Sequence, residues 1–226
     1  MRLLITDGLS YEDHRWMAEY EGYYFAQHWI VPPEIRYRWY QFNEYTMIAV
    51  RDSVSRKIVA HLGTLPLKNE IYERYRSGAF RNEEIGLALL GPNIDVIRKY
   101  DEPGLYILYC FSTAIHPDYL RKTNALRLLL NGFAQVFLKL AGNGIYVSQL
   151  FGHPVTPEGV KLCRILNMRP DAAVDSRFYA NKMTVTLFRA ADNPLRNTIV
   201  KMYNSYFAGE QSTESTGSEL NEGTCF

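Results

Sequence analysis

The residues best suited to chemistry form a ten-residue polar loop, HPDYLRKTNA, at positions 116–125. It contains two cations, Arg121 and Lys122, followed by the hydroxyl of Thr123 and the amide of Asn124. A strongly apolar segment precedes the loop and another follows it. If a strand leads into the loop and a helix begins after it, the unpaired N–H groups and the dipole of the helix favour an anion there. The loop is therefore a candidate diphosphate site, with a solvated polar turn as the alternative interpretation.

The neighbouring segments have the patterns of a central strand and a buried helix. Residues 105–115 are β-branched, aromatic and apolar on both faces, which is typical of a central strand. Residues 125–141 are apolar almost all round and end at Gly-Asn-Gly, which predicts a helix. A second strand follows at 145–151, and we expect it to lie parallel and adjacent to the first, with the two splayed at their carboxyl ends. Thr156 and Pro157 then begin another helix.

The first thirty residues predict an aromatic helix. Residues 11–29 place Trp16, Tyr20 and Tyr23 at helical spacing, and Ser10 is a suitable N-cap. This aromatic stripe is interpreted first as core packing. The alternative is that it forms one wall of an acceptor pocket.

The segments between these elements complete the predicted fold. Residues 34–42 predict a short second helix after two prolines. Residues 45–50 and 57–65 predict a β-hairpin, and His61 within its second strand is interpreted as structural. Two more strands are expected from 172–189. The order of elements predicts an α/β (α+β) fold in which helices flank a central mixed β-sheet.

Composition limits the classes of function. The chain has 226 residues, 47% hydrophobic content and a formal net charge of +1. This balance gives no sign of a nucleic-acid partner, which would need a strong basic excess. Three cysteines and the lack of a recognisable signal peptide favour a reduced, cytoplasmic location. The longest apolar run is too short to span a membrane, and no Cys/His spacing indicates a metal site.

The composition changes near the C-terminus. Residues 209–226 are rich in Ser, Thr, Gly and Glu and contain no Lys or Arg. Such a segment has too little apolar surface to offset the entropy of ordering. We therefore predict a single domain over residues 1–207 and a disordered acidic tail over 208–226. A partner-binding tail is the alternative, and a homodimer is left open.

The stretch from Tyr106 to Met168 resembles the GNAT superfamily of acyl-CoA-dependent N-acetyltransferases. That family has a strand with an aliphatic end, often a proline, then a Gln/Arg-x-x-Gly-x-Gly/Ala loop that opens a long helix. AIHPDYLRKTNALRLLL follows this order, and TPEGVKLCRILNM is similar to the family's next helix. The resemblance implies a cofactor cleft between splayed parallel strands. It also implies acetyl-CoA or another acyl-CoA as cofactor, no metal, and a small-molecule or peptide amine as acceptor.

The loop and the second helix also depart from the family pattern. Leu120 stands at the Gln/Arg position and Thr123 at the first glycine, whereas Ala125 matches the last position. Thr156 stands where an asparagine usually contacts the pantetheine arm. Cys163 stands where a tyrosine often acts as general acid, and it is either an acid or a packed core residue. The resemblance assigns cofactor contacts to Ala114, Ile115, His116, Leu120, Arg121, Lys122, Thr123, Asn124, Ala125 and Thr156.

In the resembled mechanism, an amine attacks the thioester directly. A backbone N–H at a bulged strand end, near Ala114 or Ile115, would polarise the thioester carbonyl. Tyr109, His116 and His153 are the candidate bases, because each is expected beside the cleft. Two other functions remain open: a catalytically degenerate acyl-CoA-binding sensor, and an acyltransferase similar to acyl-homoserine-lactone synthases.

Overall fold

The computed structural model describes residues 2–6, 8–77, 96–120, 122–170, 179–181 and 193–217. The strands are β1 (Leu3–Thr6), β2 (Met47–Asp52), β3 (Ile58–Leu67), β4 (Gly104–Ile115), β5 (Ile145–Gly152), β6 (Arg169–Pro170) and β7 (Tyr179–Asn181). The α-helices are α1 (Tyr11–Glu21), α2 (Pro33–Phe42), α3 (Asn69–Arg76), α4 (Ala125–Gly142), α5 (Pro157–Ile165) and α6 (Asn193–Gly217). Two 3₁₀ turns, Gln27–Trp29 and Glu44–Thr46, lie before and after α2.

The strands form one seven-stranded mixed sheet in the order β1-β2-β3-β4-β5-β7-β6. Neighbouring strands are antiparallel except β4 and β5, which pair in parallel. The predicted fold class and the predicted pairing of these two strands are therefore confirmed. The predicted hairpin is confirmed as β2 and β3, and the short second helix as α2.

Helix α4 forms the main core with one face of the sheet. Its buried residues include Leu129, Phe133 and Phe137, which pack with apolar residues of β2, β3, β4 and β5. The approach to β1 and β2 is close, because a Cβ on Gly132 would lie 2.8 Å from Ile48 Cγ2. Among the described residues, α4 is also the one helix long and apolar enough to cross a membrane by length and composition. More than half of it is buried in this core, as is usual for a core helix.

Helices α1, α2 and α3 contribute to the packing of the opposite face. Ser10 caps α1 as predicted, and its side chain and that of Asp13 form a reciprocal capping box. The prediction that this helix runs to residue 29 is wrong, because α1 ends at Glu21 and Gly22 is its C-cap. Tyr23 therefore leaves the aromatic stripe and is 69% exposed, whereas Tyr20 is buried.

The sequence predicted neither the first strand nor the last helix of the chain. β1 is only four residues long, and α6 packs its Tyr203 into the main core. α6 continues to Gly217, into the segment predicted to be disordered, and residues 218–226 lie outside the described residues. The boundary at 207 stays a prediction. Of the expected strands at 172–189, only β7 falls within the described residues.

A bulge in β4 decides which side chains face α1 and α2. Gly63 pairs with Ser112 and Thr64 with Cys110, so Phe111 is an extra residue in β4. A bulge of this kind breaks the alternation of side chains, and Phe111 and Ser112 both reach the same face. The Phe111 ring packs edge-on against Trp39 of α2, with ring centroids 5.2 Å apart. It can lie there because Gly63 has no side chain: a Cβ would be 2.4 Å from Phe111 Cζ.

We expect Gly63→Ala to lower the free energy of unfolding by about 1–3 kcal/mol, the usual cost of overpacking a filled core. Urea denaturation measures this loss. Gly142→Ala is the matched control, because a Cβ there would meet nothing within 4 Å. A Gly63→Ala protein as stable as the control would show that the bulge does not depend on this contact.

Candidate functional site

β4 and β5 separate partway along β4. Their pairing runs from Gly104–Ile145 to Cys110–Gly152, while β4 continues to Ile115 beside β3 alone. We call the separation beyond the Cys110–Gly152 pair the fork. The strands approach closely at its base, where a Cβ on Gly152 would lie 3.1 Å from the Cys110 carbonyl oxygen.

The bulge lies at the base of the fork and not at the end of β4. Ala114 and Ile115, where the sequence predicted it, pair regularly with His61 and Ala60 of β3. That prediction is wrong because the space for an extra residue is beside Gly63, opposite Phe111. Beyond Cys110, every second backbone N–H of β4 faces the fork instead of β3. These N–H groups are the candidates for polarising a bound carbonyl.

The loop after β4 leads directly to the N-terminus of α4. The carbonyl of His116 accepts hydrogen bonds from the N–H groups of Tyr119 and Leu120, which tightens the turn. The Thr123 hydroxyl donates to the Tyr119 carbonyl at 3.0 Å and accepts from the Ala125 N–H at 3.2 Å. Thr123 therefore caps the start of α4.

Of the remaining predicted contacts, two lie beside this helix start. Lys122 and Asn124 are exposed beside it, and Asn124 makes no side-chain capping bond. Arg121 lies outside the described residues. Thr156 caps α5 by accepting from the Gly159 N–H at 3.0 Å, so its hydroxyl already has a structural role.

The structure does not bring the three predicted bases together. His153 directly follows the base of the fork, and the Tyr75 hydroxyl contacts its ring, nearest to Nε2 and 3.1 Å from Nδ1. His116 is six residues beyond Cys110, which along a strand is about 20 Å. Tyr109 packs on Phe151, and burial raises its pKa, which opposes a role as a base.

His116 is held in a group of aromatic rings. It stacks on Trp16 at 5.7 Å between centroids, and the rings of Tyr20, Tyr23 and Tyr119 surround it. Its Nδ1 accepts a hydrogen bond from the Asp118 N–H at 3.3 Å. These contacts attach the loop to α1, and they show how part of the predicted aromatic stripe packs.

Cys163 lies in the main core, 8% exposed. Burial raises the pKa of its thiol to about 12. Such a thiol stays protonated at neutral pH, which opposes a role as a nucleophile. The geometry therefore favours the core interpretation of this residue.

A buried polar network that the sequence did not predict lies on the α1 face beside the bulge. Glu21 Oε1 is 2.7 Å from His61 Nε2 and also accepts a hydrogen bond from the Ser112 hydroxyl. Glu21 Oε2 is 2.5 Å from a terminal nitrogen of Arg36. On the far side of the imidazole, the Tyr20 hydroxyl lies 2.5 Å from His61 Nδ1. The only signal in the sequence was the placing of a histidine and a serine within apolar strands, since buried polar groups need partners.

The charges of this network are set by its own members. Burial raises the pKa of Glu21, but the charge of Arg36 and the hydrogen bond from His61 outweigh it and lower the pKa to about 2. Burial lowers the pKa of His61 despite the carboxylate beside it. At neutral pH, Glu21 is therefore ionised and His61 neutral. The single ring proton of His61 lies on Nε2, facing Glu21, and Nδ1 accepts a hydrogen bond from the Tyr20 hydroxyl.

Several buried nitrogens in this network and beside it lack hydrogen-bond partners among the described residues. They are Nε and one terminal nitrogen of Arg36, and both ring nitrogens of His14. His14 is fully buried between the rings of Tyr37 and Tyr40. Burial, followed by the charge of Arg36, lowers the pKa of His14 to about 3.

Comparison with known proteins gives matches in structure only. No family model matches the chain, and no curated protein matches it. It is similar to the loading GNATL domain of CurA from Lyngbya majuscula, with 12% identity over 90% of this chain and 84% of that chain, TM-score 0.48. It is similar to polyamine N-acetyltransferase from Drosophila melanogaster, with 14% identity over 80% of this chain and 100% of that chain, TM-score 0.46. It is also similar to mosquito arylalkylamine N-acetyltransferase like 5b, with 16% identity over 79% of this chain and 98% of that chain, TM-score 0.47. Two of these three similar structures are thus N-acetyltransferases, and the third is a GNATL domain.

His14 predicts how stability depends on pH. Its pKa falls from 6.5 to about 3 on folding, so the unfolded chain binds the proton more readily. The stability associated with neutral His14 is therefore complete above pH 6.5 and is lost as the pH falls toward 3. We expect His14→Phe to lose less stability between pH 7 and pH 4.5 than the unmodified protein, measured by urea denaturation at both values. His28→Phe, at an exposed site, is the control, and equal pH dependence in all three proteins would contradict the prediction.

Proposed function

We propose that this protein is an acyl-CoA-dependent N-acyltransferase, which transfers an acetyl or other acyl group to an amine by direct attack. The observation that carries the proposal is the fork, with its bulge at the base and the N-terminus of α4 just beyond the end of β4. The acceptor is a small-molecule or peptide amine.

The fork suits the pantetheine arm of an acyl-CoA. Where two parallel strands separate, the backbone N–H and C=O groups on their facing edges lose their partners. The arm carries two amide groups and can bond to both edges as it passes between the strands. The diphosphate then lies at the N-terminus of α4, where Lys122 and, from its place in the sequence, Arg121 supply positive charge.

The fork has two tasks in this reaction, which are to orient the thioester and to polarise its carbonyl group. The amine nitrogen attacks the thioester carbon, and negative charge develops on the carbonyl oxygen. The N–H groups of β4 beyond Cys110 are suited to stabilise that charge, because they are fixed before the reaction begins. The C–S bond then breaks and CoA leaves as a thiolate.

Calorimetry with CoA and acetyl-CoA tests the cofactor. We expect the double replacement of Arg121 and Lys122 by Ala to weaken binding by about 2 kcal/mol, roughly thirtyfold in Kd, because two charge-assisted contacts are lost at a partly exposed site. Replacement of Arg196 and Lys201 on α6 by Ala removes equal charge elsewhere and serves as the control. Equal affinity in both double variants, or no binding by the unmodified protein at millimolar CoA, would count against the proposal.

Direct attack predicts that no acyl-enzyme accumulates. After incubation with acetyl-CoA, we expect the intact mass to show no adduct on Cys163, since its raised pKa keeps the thiol protonated. We expect Cys163→Ser to retain most activity. Stable acetylation of Cys163 that an amine then discharges would replace direct attack with a ping-pong scheme.

Turnover separates the enzyme from the sensor alternative. Release of free thiol from acetyl-CoA is measured with a panel of primary amines that includes a polyamine, an arylalkylamine and a lysine-containing peptide. Binding of acetyl-CoA without release of thiol for any member would favour an acyl-CoA-binding module.

A further inference from the structure

Direct attack requires a group that removes a proton from the amine nitrogen, and two of the three predicted bases serve this need poorly. Tyr109 has a raised pKa, and His116 lies far from the base of the fork, with its Nδ1 accepting a hydrogen bond from the Asp118 N–H. The third, His153, lies against the Tyr75 hydroxyl, which contacts both of its ring nitrogens. The polar network of Glu21, His61 and Ser112 lies instead next to the bulge.

The bulge brings this network to the fork. Ser112 follows Phe111 directly, and in a regular strand its side chain would point to the α4 face. Because Phe111 is an extra residue, Ser112 turns toward α1 and bonds to Glu21. Glu21 and His61 are fully buried, whereas Ser112 is only half-buried. A substrate can therefore reach the network through the serine hydroxyl.

The hydrogen bonds give the hydroxyl a direction. Glu21 is a carboxylate and can only accept, so Ser112 donates its proton to Oε1. His61 Nε2, 2.9 Å from Ser112 Oγ, is the donor shared between these two oxygens. A remaining lone pair on Oγ is then available to the amine nitrogen.

We propose that Ser112 accepts a proton from the attacking amine while passing its own proton to Glu21, so that the two residues form a proton relay. His61, Tyr20 and Arg36 are positioning residues that hold the carboxylate in place. This inference rests on the proposed acyltransferase function and identifies the proton acceptor of that reaction.

The step balances without any further reactant. The C–N bond forms and the C–S bond breaks. The proton of the nitrogen moves to Ser112 Oγ as the serine proton moves to Glu21 Oε1. The CoA thiolate takes a proton from solvent, and after the product leaves, Glu21 returns its proton to solvent through Ser112. Nothing is oxidised or reduced.

Ser112→Ala tests the relay, because it removes the hydroxyl and leaves the buried Glu21–Arg36 ion pair intact. With acetyl-CoA and the fastest amine of the panel, we expect kcat to fall about 10²-fold, the lower range for a lost proton-transfer group, with the Kd for CoA unchanged. Ser112→Thr keeps the hydroxyl and is expected to restore most of the rate. Ser148→Ala removes a half-buried serine hydroxyl of β5, which bonds to the Tyr106 carbonyl outside the fork, and is the control expected to keep the unmodified rate.

The solvent isotope effect separates proton transfer from a structural role. Glu21 has a pKa of about 2, far below that of an ammonium, so the amine reacts in its neutral form and the relay takes the proton released as the C–N bond forms. Because two protons move in that step, we expect kcat of the unmodified protein to be lower in D2O than in H2O, and the difference to be smaller in Ser112→Ala. Glu21→Gln should show the same smaller difference if the variant folds.

The possible outcomes are distinct. An active unmodified protein whose Ser112→Ala variant keeps both its rate and its solvent isotope effect would overturn the relay and leave the proposed function standing. A reduced rate with an unchanged solvent isotope effect would make Ser112 structural and also overturn the relay. Failure of the unmodified protein to bind acetyl-CoA, or to transfer to any amine of the panel, would overturn both proposals.

Discussion

The contact between the Phe111 ring and the vacant side of Gly63 is the constraint from which the site follows. It accommodates one extra residue in β4, at the level where β5 stops pairing. The extra residue reverses the facing of the rest of β4, so that Ser112 meets α1, although Cys110 two residues before it faces the main core. The absence of a side chain on Gly63 is thus the reason that the polar network lies beside the base of the fork.

The buried charges next to the bulge fix where α1 lies. Glu21 is the last residue of α1, and its two oxygens are bound by side chains from α2, β3 and β4. A buried ion pair adds little net stability, because the desolvation of both charges offsets their attraction. Loss of one member would leave an uncompensated charge, however, so alternative placements of α1 are disfavoured. The network therefore determines where α1 packs, and it adds little to the stability of the fold.

Sequence reasoning succeeded where the information is local. The apolar run of β4, the Gly-Asn-Gly end of α4 and the Thr156 cap each depend on residues within a few positions, and each was predicted. The bulge was placed wrongly because it depends on the absence of a side chain in the neighbouring strand. The network was missed because its bonds join residues 40 and 91 positions apart in the chain. The predicted helix α1 was too long because the helical spacing of aromatic residues continues past Gly22, where the backbone turns.

The departures of the loop from the resembled family have a physical explanation. A glycine there lets the backbone approach a phosphate closely, whereas this chain has Thr123, whose hydroxyl is used by the Tyr119 carbonyl and the Ala125 N–H. The loop is thus stabilised by its own hydrogen bonds rather than shaped around a ligand. Under the proposed function, the diphosphate is recognised by the N-terminus of α4, by exposed Lys122 and, from its place in the sequence, by Arg121. Salt screens charge interactions of this kind. The backbone edges of the fork, which salt affects less, then supply the larger share of cofactor selectivity.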